Sequence, residues 1–186
     1  VLACYLFKNI KVEDIRNGLH NFIPSSTQTP GRLNLFQFKD FKFLVDFAHN
    51  PAGLNLLCDF VNQLQSTHKV GIISGTGDRR DDDIREIGRI SAKNFDEIII
   101  RQDRNLRGRT AEEIINLLVE GINEGKKKDI SVTIIPDEKE AILHAYKTVT
   151  PGSIVTIMCD VIPDTIEFIK KLKEEEVSKV VSGYEA

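Results

Sequence analysis

Residues Val45–Leu57 read VDFAHNPAGLNLL. The run FLVDFA (43–48) has the apolar, β-branched character of a buried strand, and AGLNLLCDFVNQL (52–64) has the spacing of a helix. His49, Asn50 and Pro51 separate them, and Asp46 lies inside the apolar run. A strand that passes so abruptly into a helix, with Pro at a first-turn position where its missing N–H costs nothing, predicts a β–α unit. A carboxylate inside that strand must be hydrogen-bonded or paired. Two readings of Asp46 stand side by side: it accepts from backbone amides or a nearby Arg, or it faces a cleft and accepts from ligand hydroxyls such as those of a ribose. His49 and Asn50, just before a helix N-terminus, can contact a nucleotide or cap the helix.

The β–α pattern repeats outward from this stretch. Upstream, LNLFQF (33–38) alternates, with Asp40 at a turn, and predicts a β-hairpin leading into FKFLVDFA. Downstream, a helix over 51–66 is followed by strand 69–74, helix 81–94, strand 97–101, helix 110–124, strand 131–135, helix 138–148, strand 153–158 and helix 163–175. Asp81 or Asp82 is expected to cap one helix, Thr110 with Glu113 to form a capping box, and Asp137 with Glu140 nearly another. Apolar strands alternating with amphipathic helices predict an α/β fold: a Rossmann-like, three-layer αβα domain with a mainly parallel sheet and an N-terminal hairpin or edge strand. Ligands in such sheets bind beyond the carboxyl ends of the strands.

Ahead of this unit, VEDIRNGLHNF (12–22) places Val12, Ile15, Leu19 and Phe22 on one helix face, and VLACYLF (1–7) reads as the end of another helix. FIPSSTQTPGR (22–32) has linker composition, so a domain boundary is expected near 24–31. The expected organisation is 1–28 as the tail of a separate domain, 29–176 as the α/β domain and 177–186 as a C-terminal tail that frays. The only methionine is Met158. The chain is therefore expected to be a piece of a longer protein.

The 186 residues are 41% hydrophobic and 28% charged, with a net charge of -3 and no tryptophan. That balance gives no broad basic field and no base-stacking surface, so nucleic acid is not an expected partner. No apolar run has the length of a membrane span, so no membrane association is expected. Cys4, Cys58 and Cys159 are far apart and read as buried thiols in a reducing, cytoplasmic compartment.

Polar clusters fall where strands end. In ISGTGDRRDDDIREIG (73–88), Gly75 and Gly77 allow a sharp turn. Asp81–Asp83 supply favourable charge at a helix N-terminus. Asp78, Arg79 and Arg80 form a mixed-charge loop suited to a zwitterionic or guanidinium-bearing substrate. GTGDRR has Arg80 where a GxGxxG loop has its third glycine, which counts against a dinucleotide site. In RQDRNLRGRT (101–110), Asp103, Arg104, Arg107 and Arg109 decorate a further loop, and each Arg can bind a carboxylate or phosphate bidentately. No GxxxxGK[ST], HExxH or nucleophile elbow occurs.

TPGRLN (29–34), VDFAHNPAGL (45–54), GTGDRRDDDIREIGRI (75–90) and IIIRQDRNLRGRT (98–110) together resemble the C-terminal domain of the Mur ligase superfamily, and within it the Mur-ligase-like region of the cyanophycin synthetases. Phe47 stands where the family often has Tyr. The resemblance implies an ATP-dependent amide ligase. ATP phosphorylates a carboxylate, an amine attacks the acyl phosphate, and in this group arginine is joined to the β-carboxyl of a poly-aspartate (cyanophycin) backbone. It implies ATP and Mg2+ as cofactors, with the metal's ligands mainly on a central domain outside this chain. Implied partners are the N-terminal and central domains of a homo-oligomeric parent. By position, Arg32 would reach phosphates, Asp46 would hold the ribose, and His49 and Asn50 would line the nucleotide side. Asp78, Arg79, Arg80, Asp81, Asp103, Arg107 and Arg109 would face the amino acid and acceptor. No catalytic residue or metal ligand is assigned within the chain, which is expected to be inert alone. Alternatives are a cell-wall UDP-MurNAc-peptide ligase, a folylpolyglutamate synthetase, or a non-catalytic nucleotide-binding module.

Overall fold

The computed structural model describes residues 10–22, 25–126 and 130–182. Its elements in chain order are α1 (Val12–His20), β1 (Asn34–Gln37), β2 (Lys42–Asp46), α2 (Pro51–Gln63), β3 (Lys69–Ile73), α3 (Asp81–Asn94), β4 (Glu97–Ile100), α4 (Ala111–Gly125), β5 (Ser131–Ile134), α5 (Glu138–Thr148), β6 (Ile154–Met158) and α6 (Ile162–Ser182). The strands form one six-stranded sheet in the order β1-β2-β6-β3-β4-β5. The hairpin β1–β2 is antiparallel, with Leu35 opposite Leu44, and every other pairing is parallel.

Side chains alternate across a strand, so strands covered on both faces must be apolar at every position. Leu44, Ile73, Ile98, Ile100, Ile154 and Met158 point to one face, where they pack with α2, α3 and α4. Phe43, Val45, Ile72, Ile99, Val155 and Ile157 point to the other, against α5 and α6. The mainly parallel, three-layer architecture expected from the sequence is the one observed. On β1, Asn34 and Phe36 are buried while Leu35 and Gln37 face out.

Close helix packing depends on glycine. A Cβ on Gly121 of α4 would fall on the carbonyl of Arg85 in α3, and one on Gly88 would fall on the carbonyl of Leu118. The two helices approach closely because these positions carry no side chain.

The helix starts follow local chemistry. Asn50 Oδ1 accepts from the Gly53 amide at 2.8 Å, and Pro51 opens α2. The Thr110–Glu113 capping box of α4 is present, and Asp137 accepts from the Glu140 amide. At α3 the expectation of an Asp81 or Asp82 cap is corrected. The N-cap position is Arg80, without a side-chain cap bond, and Asp81–Asp83 form the first turn. There they favour the helix through their charge. The last helix also runs further than expected, to Ser182. Val12, Leu19 and Phe22 are exposed and no residue of α1 is buried. The expected helix over 1–7 lies outside the described residues, as does Cys4; Cys58 and Cys159 are buried. Among the described residues no helix is long and apolar enough to cross a membrane.

Candidate functional site at the carboxyl ends of the strands

Asp46 ends β2 and is 8% exposed. Its Oδ2 accepts from the Leu33 amide at 2.9 Å, and the Ala48 amide also hydrogen-bonds to the carboxylate. Burial raises its pKa, and the two amides and the Arg32 charge oppose that rise. The amide-accepting arrangement is thus present, and it anchors the 29–33 loop. Leu33 lies at φ 48, a left-handed conformation uncommon for a branched residue. Asn34, buried, reinforces the loop: its Oδ1 accepts from the Gly31 amide at 2.7 Å and its Nδ2 donates to the carbonyls of Thr29 and Arg32.

Arg32 leaves this loop with its guanidinium carbon 5.9 Å from the centre of the Phe47 ring. Phe47 in turn stacks obliquely on His49 at 5.1 Å. His49 Nδ1 is 3.0 Å from the Phe47 carbonyl, which leaves Nε2 as its outward nitrogen. Asn50 uses its Oδ1 on the α2 cap, so its Nδ2 is the group left for other contacts. Arg32, Phe47, His49 and Asn50 therefore form one edge of the strand-end surface.

The 75–80 and 101–110 loops form the opposite edge. Arg107 Nη1 donates to Asp78 Oδ2 at 2.5 Å, and this bond is the main cause of a lowered Asp78 pKa. Arg79 Nε has no hydrogen-bond partner among the described residues and stands 3.9 Å from Asp78 Oδ1. Arg109 fastens the two loops together: it donates to the carbonyls of Gly77 and Arg79, both at 3.0 Å, and pairs with Asp81 Oδ1 at 2.7 Å. Arg80 points along α3 and forms a two-bond pair with Asp83, both at 3.0 Å. Gly77 is buried and a Cβ there would fall on the Leu106 carbonyl, so this glycine serves loop packing.

Sequence reading passed over Arg101 and Glu138. Arg101 is 2% exposed. Its Nη1 donates to Asp103 Oδ1 at 2.6 Å and its Nε lies 3.1 Å from Glu138 Oε2. The available signal was a cation directly after the buried Ile98–Ile100 run of β4. Two cavities flank this pair. A cavity of about 110 Å³ is lined by Phe47, His49, Thr76, Arg79, Arg107 and Asp160, among others. One of about 330 Å³ is lined by Gln102, Asp103, Arg104, Asp137, Glu138 and Asp160, among others. Cys159 beside the smaller one is a thiol pushed up to about 12, chiefly by burial. No group of three or more His, Cys, Asp or Glu side chains among the described residues is placed to hold a metal.

A mainly parallel sheet between two helix layers, with aromatic and charged side chains gathered around clefts at its carboxyl ends, defines an α/β domain of the Rossmann-like class. Comparison places it more narrowly. The chain belongs to the family described as Mur ligase, glutamate ligase domain, which matches residues 31–160. It is 41% identical over 162 residues to a cyanophycin synthetase of Geminocystis herdmanii, covering 87% of this chain and 18% of that protein. It is 32% identical over 147 residues to a UDP-N-acetylmuramoyl-L-alanyl-D-glutamate–2,6-diaminopimelate ligase of Buchnera aphidicola, covering 78% and 28%. A bifunctional folylpolyglutamate synthase/dihydrofolate synthase of Yersinia pestis, solved with AMPPNP and a Mn ion, shares the fold with a TM-score of 0.63 and 20% identity, covering 84% of this chain and 33% of that one. The chain spans about a fifth of the length of the cyanophycin synthetases it matches.

Proposed function

We propose that this chain is the C-terminal domain of an ATP-dependent amide ligase of the cyanophycin synthetase kind, residues 29–176 forming the domain and 1–28 belonging to the domain before it. Its reaction joins the α-amine of arginine to the β-carboxyl of a poly-aspartate chain. One observation carries the reading: two chemically distinct edges meet around the strand ends, in a chain 41% identical to a cyanophycin synthetase over 162 residues. The exposed apolar stripe of α1 supports the boundary, since a helix with no buried residue is suited to pack on a neighbouring domain.

On this reading Arg32 meets the phosphates of ATP and Asp46 accepts from the ribose with the lone pairs its two amide donors leave free. His49 offers Nε2 and Asn50 its Nδ2 to the same nucleotide. Arg79 and Arg107 suit a carboxylate, and Asp78 and Asp103 suit a guanidinium. Arg109 and Asp81 hold the two loops in register, and Arg80 stands at the rim. ATP with its Mg2+ supplies the phosphoryl group that activates the carboxyl, the metal being held by the phosphates and another domain. Because the site is divided between domains, turnover depends on closure.

The test is ATP-dependent incorporation of labelled arginine into a β-aspartyl-arginine primer by the full-length protein, with and without Asp46→Ala. Incorporation that Asp46→Ala abolishes supports both the reaction and the nucleotide role. Incorporation that survives removes the role of Asp46. ATP turnover on a different amine, with none on arginine, moves the protein to another ligase of this family. A cell-wall ligase is the second reading, favoured by the 32% identity to the diaminopimelate ligase.

A further inference from the structure

Arg101 is the largest of the fully buried side chains, and the reaction proposed above does not call on it. A buried guanidinium is costly unless its donors all meet acceptors. Here Nε donates to the Met158 carbonyl at 3.0 Å and Nη2 to the same oxygen. Nη1 donates to the Gln102 carbonyl at 3.1 Å and to Asp103 Oδ1 at 2.6 Å. Glu138, 3.1 Å from Nε, is equally committed. Its Oε2 accepts from the Asp160 amide at 2.8 Å and its Oε1 from the Thr165 hydroxyl. Asp160 Oδ2 accepts from the Arg104 amide at 2.8 Å.

One buried ion pair thus fixes the Asp103 carboxylate directly and the Asp160 backbone through Glu138, while the Arg104 amide holds the Asp160 carboxylate. Both aspartates line both cavities, so they form the wall between them. Each keeps one oxygen, Oδ2 of Asp103 and Oδ1 of Asp160, without a hydrogen bond among the described residues. The charge of Arg101 is shared between Asp103 at 2.6 Å and Glu138 at 3.1 Å, and that of Arg104 is met by Asp164 at 2.7 Å. With Asp137 also present and Lys139 the one other cation lining the larger cavity, the wall is net negative on that side, while Arg79 and Arg107 line the smaller cavity. Well-packed apolar side chains replacing Arg101 together with its carboxylate partners could fill this space at little or no loss of stability, whereas removing one partner alone strands a buried charge, so the ion pair is better explained by the geometry it imposes than by the core it fills.

We propose that Arg101 is a positioning residue: with Glu138 it fixes Asp103 and Asp160 on the wall between the two clefts, and that wall selects an incoming amine whose side chain carries a positive charge. Carboxylates already held in place recognise a guanidinium without the entropy cost of ordering them on binding. This rests on the amide-ligase reading.

The test uses the full-length protein and compares kcat/KM for arginine and for citrulline, its neutral isostere, together with KM for ATP. In Arg101→Met the arginine-over-citrulline ratio is expected to fall at least about tenfold, with KM for ATP within about twofold. Glu138→Gln, which keeps the volume and one of the two acceptor oxygens but loses the ion pair, is expected to show the same split and decides the matter if Arg101→Met does not fold. A purely structural role would instead lower activity on both amines in parallel with thermal stability, and that result overturns the proposal. So does an unchanged ratio in folded variants while the wild type uses arginine. A wild type that turns over ATP but takes no cationic amino acid overturns the ligase reading and this inference together.

Discussion

The backbone amide of Leu33 donates to Oδ2 of Asp46 at 2.9 Å, and Leu33 sits at φ 48. The carboxylate at the end of β2 therefore holds the loop from which Arg32 projects, whatever else it binds. Asp46→Ala strands the Leu33 and Ala48 amides without their acceptor. We expect a stability loss of about 1–3 kcal/mol in urea unfolding. An unchanged midpoint would show that the loop holds itself.

The same residue sets a pH dependence. Burial raises the Asp46 pKa, so the folded state binds this proton more tightly than the unfolded chain. Its contribution to stability is complete below the ordinary aspartate range and is lost as pH rises through the folded-state value. Asp46→Asn removes that titration. Measured from acid to neutral pH, the stability difference between wild type and Asp46→Asn should move in favour of the wild type as the pH falls. A difference that moves the other way would mean that the amides and Arg32 outweigh burial.

Gly121 lies where α4 meets the backbone of α3 at Arg85. A methyl group there must push the helices apart. Gly121→Ala should cost about 1–3 kcal/mol despite the better helix propensity of alanine. A stabilised variant in thermal unfolding would show that the helix pair has room to spare.

Arg109 makes three separate contacts from one planar group, to Gly77, Arg79 and Asp81. A lysine ammonium at that position lacks the fork needed to reach them all. Arg109→Lys should lose about 1 kcal/mol and make the 75–80 and 101–110 loops more open to limited proteolysis. Equal cleavage rates would show that the other contacts suffice.

The thiols of Cys58 and Cys159 are both pushed up to about 12, chiefly by burial. Neither should be alkylated by iodoacetamide at pH 8 in the native protein, and both should label fully in urea, as read by peptide mass mapping. Native labelling at Cys159 would reveal opening of the cleft beside it.

The sequence by itself determined the layers. Continuously apolar strands such as Ile98–Ile100 can be buried on both faces only between two helix layers, and Asn50 with Pro51, Thr110 and Asp137 mark their helix starts through local backbone chemistry. It also marked the polar residues at the strand ends. Only the tertiary structure decided their partners. Leu33 and Asp46 lie thirteen residues apart, Arg109 and Gly77 thirty-two, and Arg101 and Met158 fifty-seven. Such distant pairs leave no local periodicity to read. The strand order decides which of them meet: β6, last in sequence, is inserted between β2 and β3, so Met158, Asp160 and Glu138 gather around Arg101.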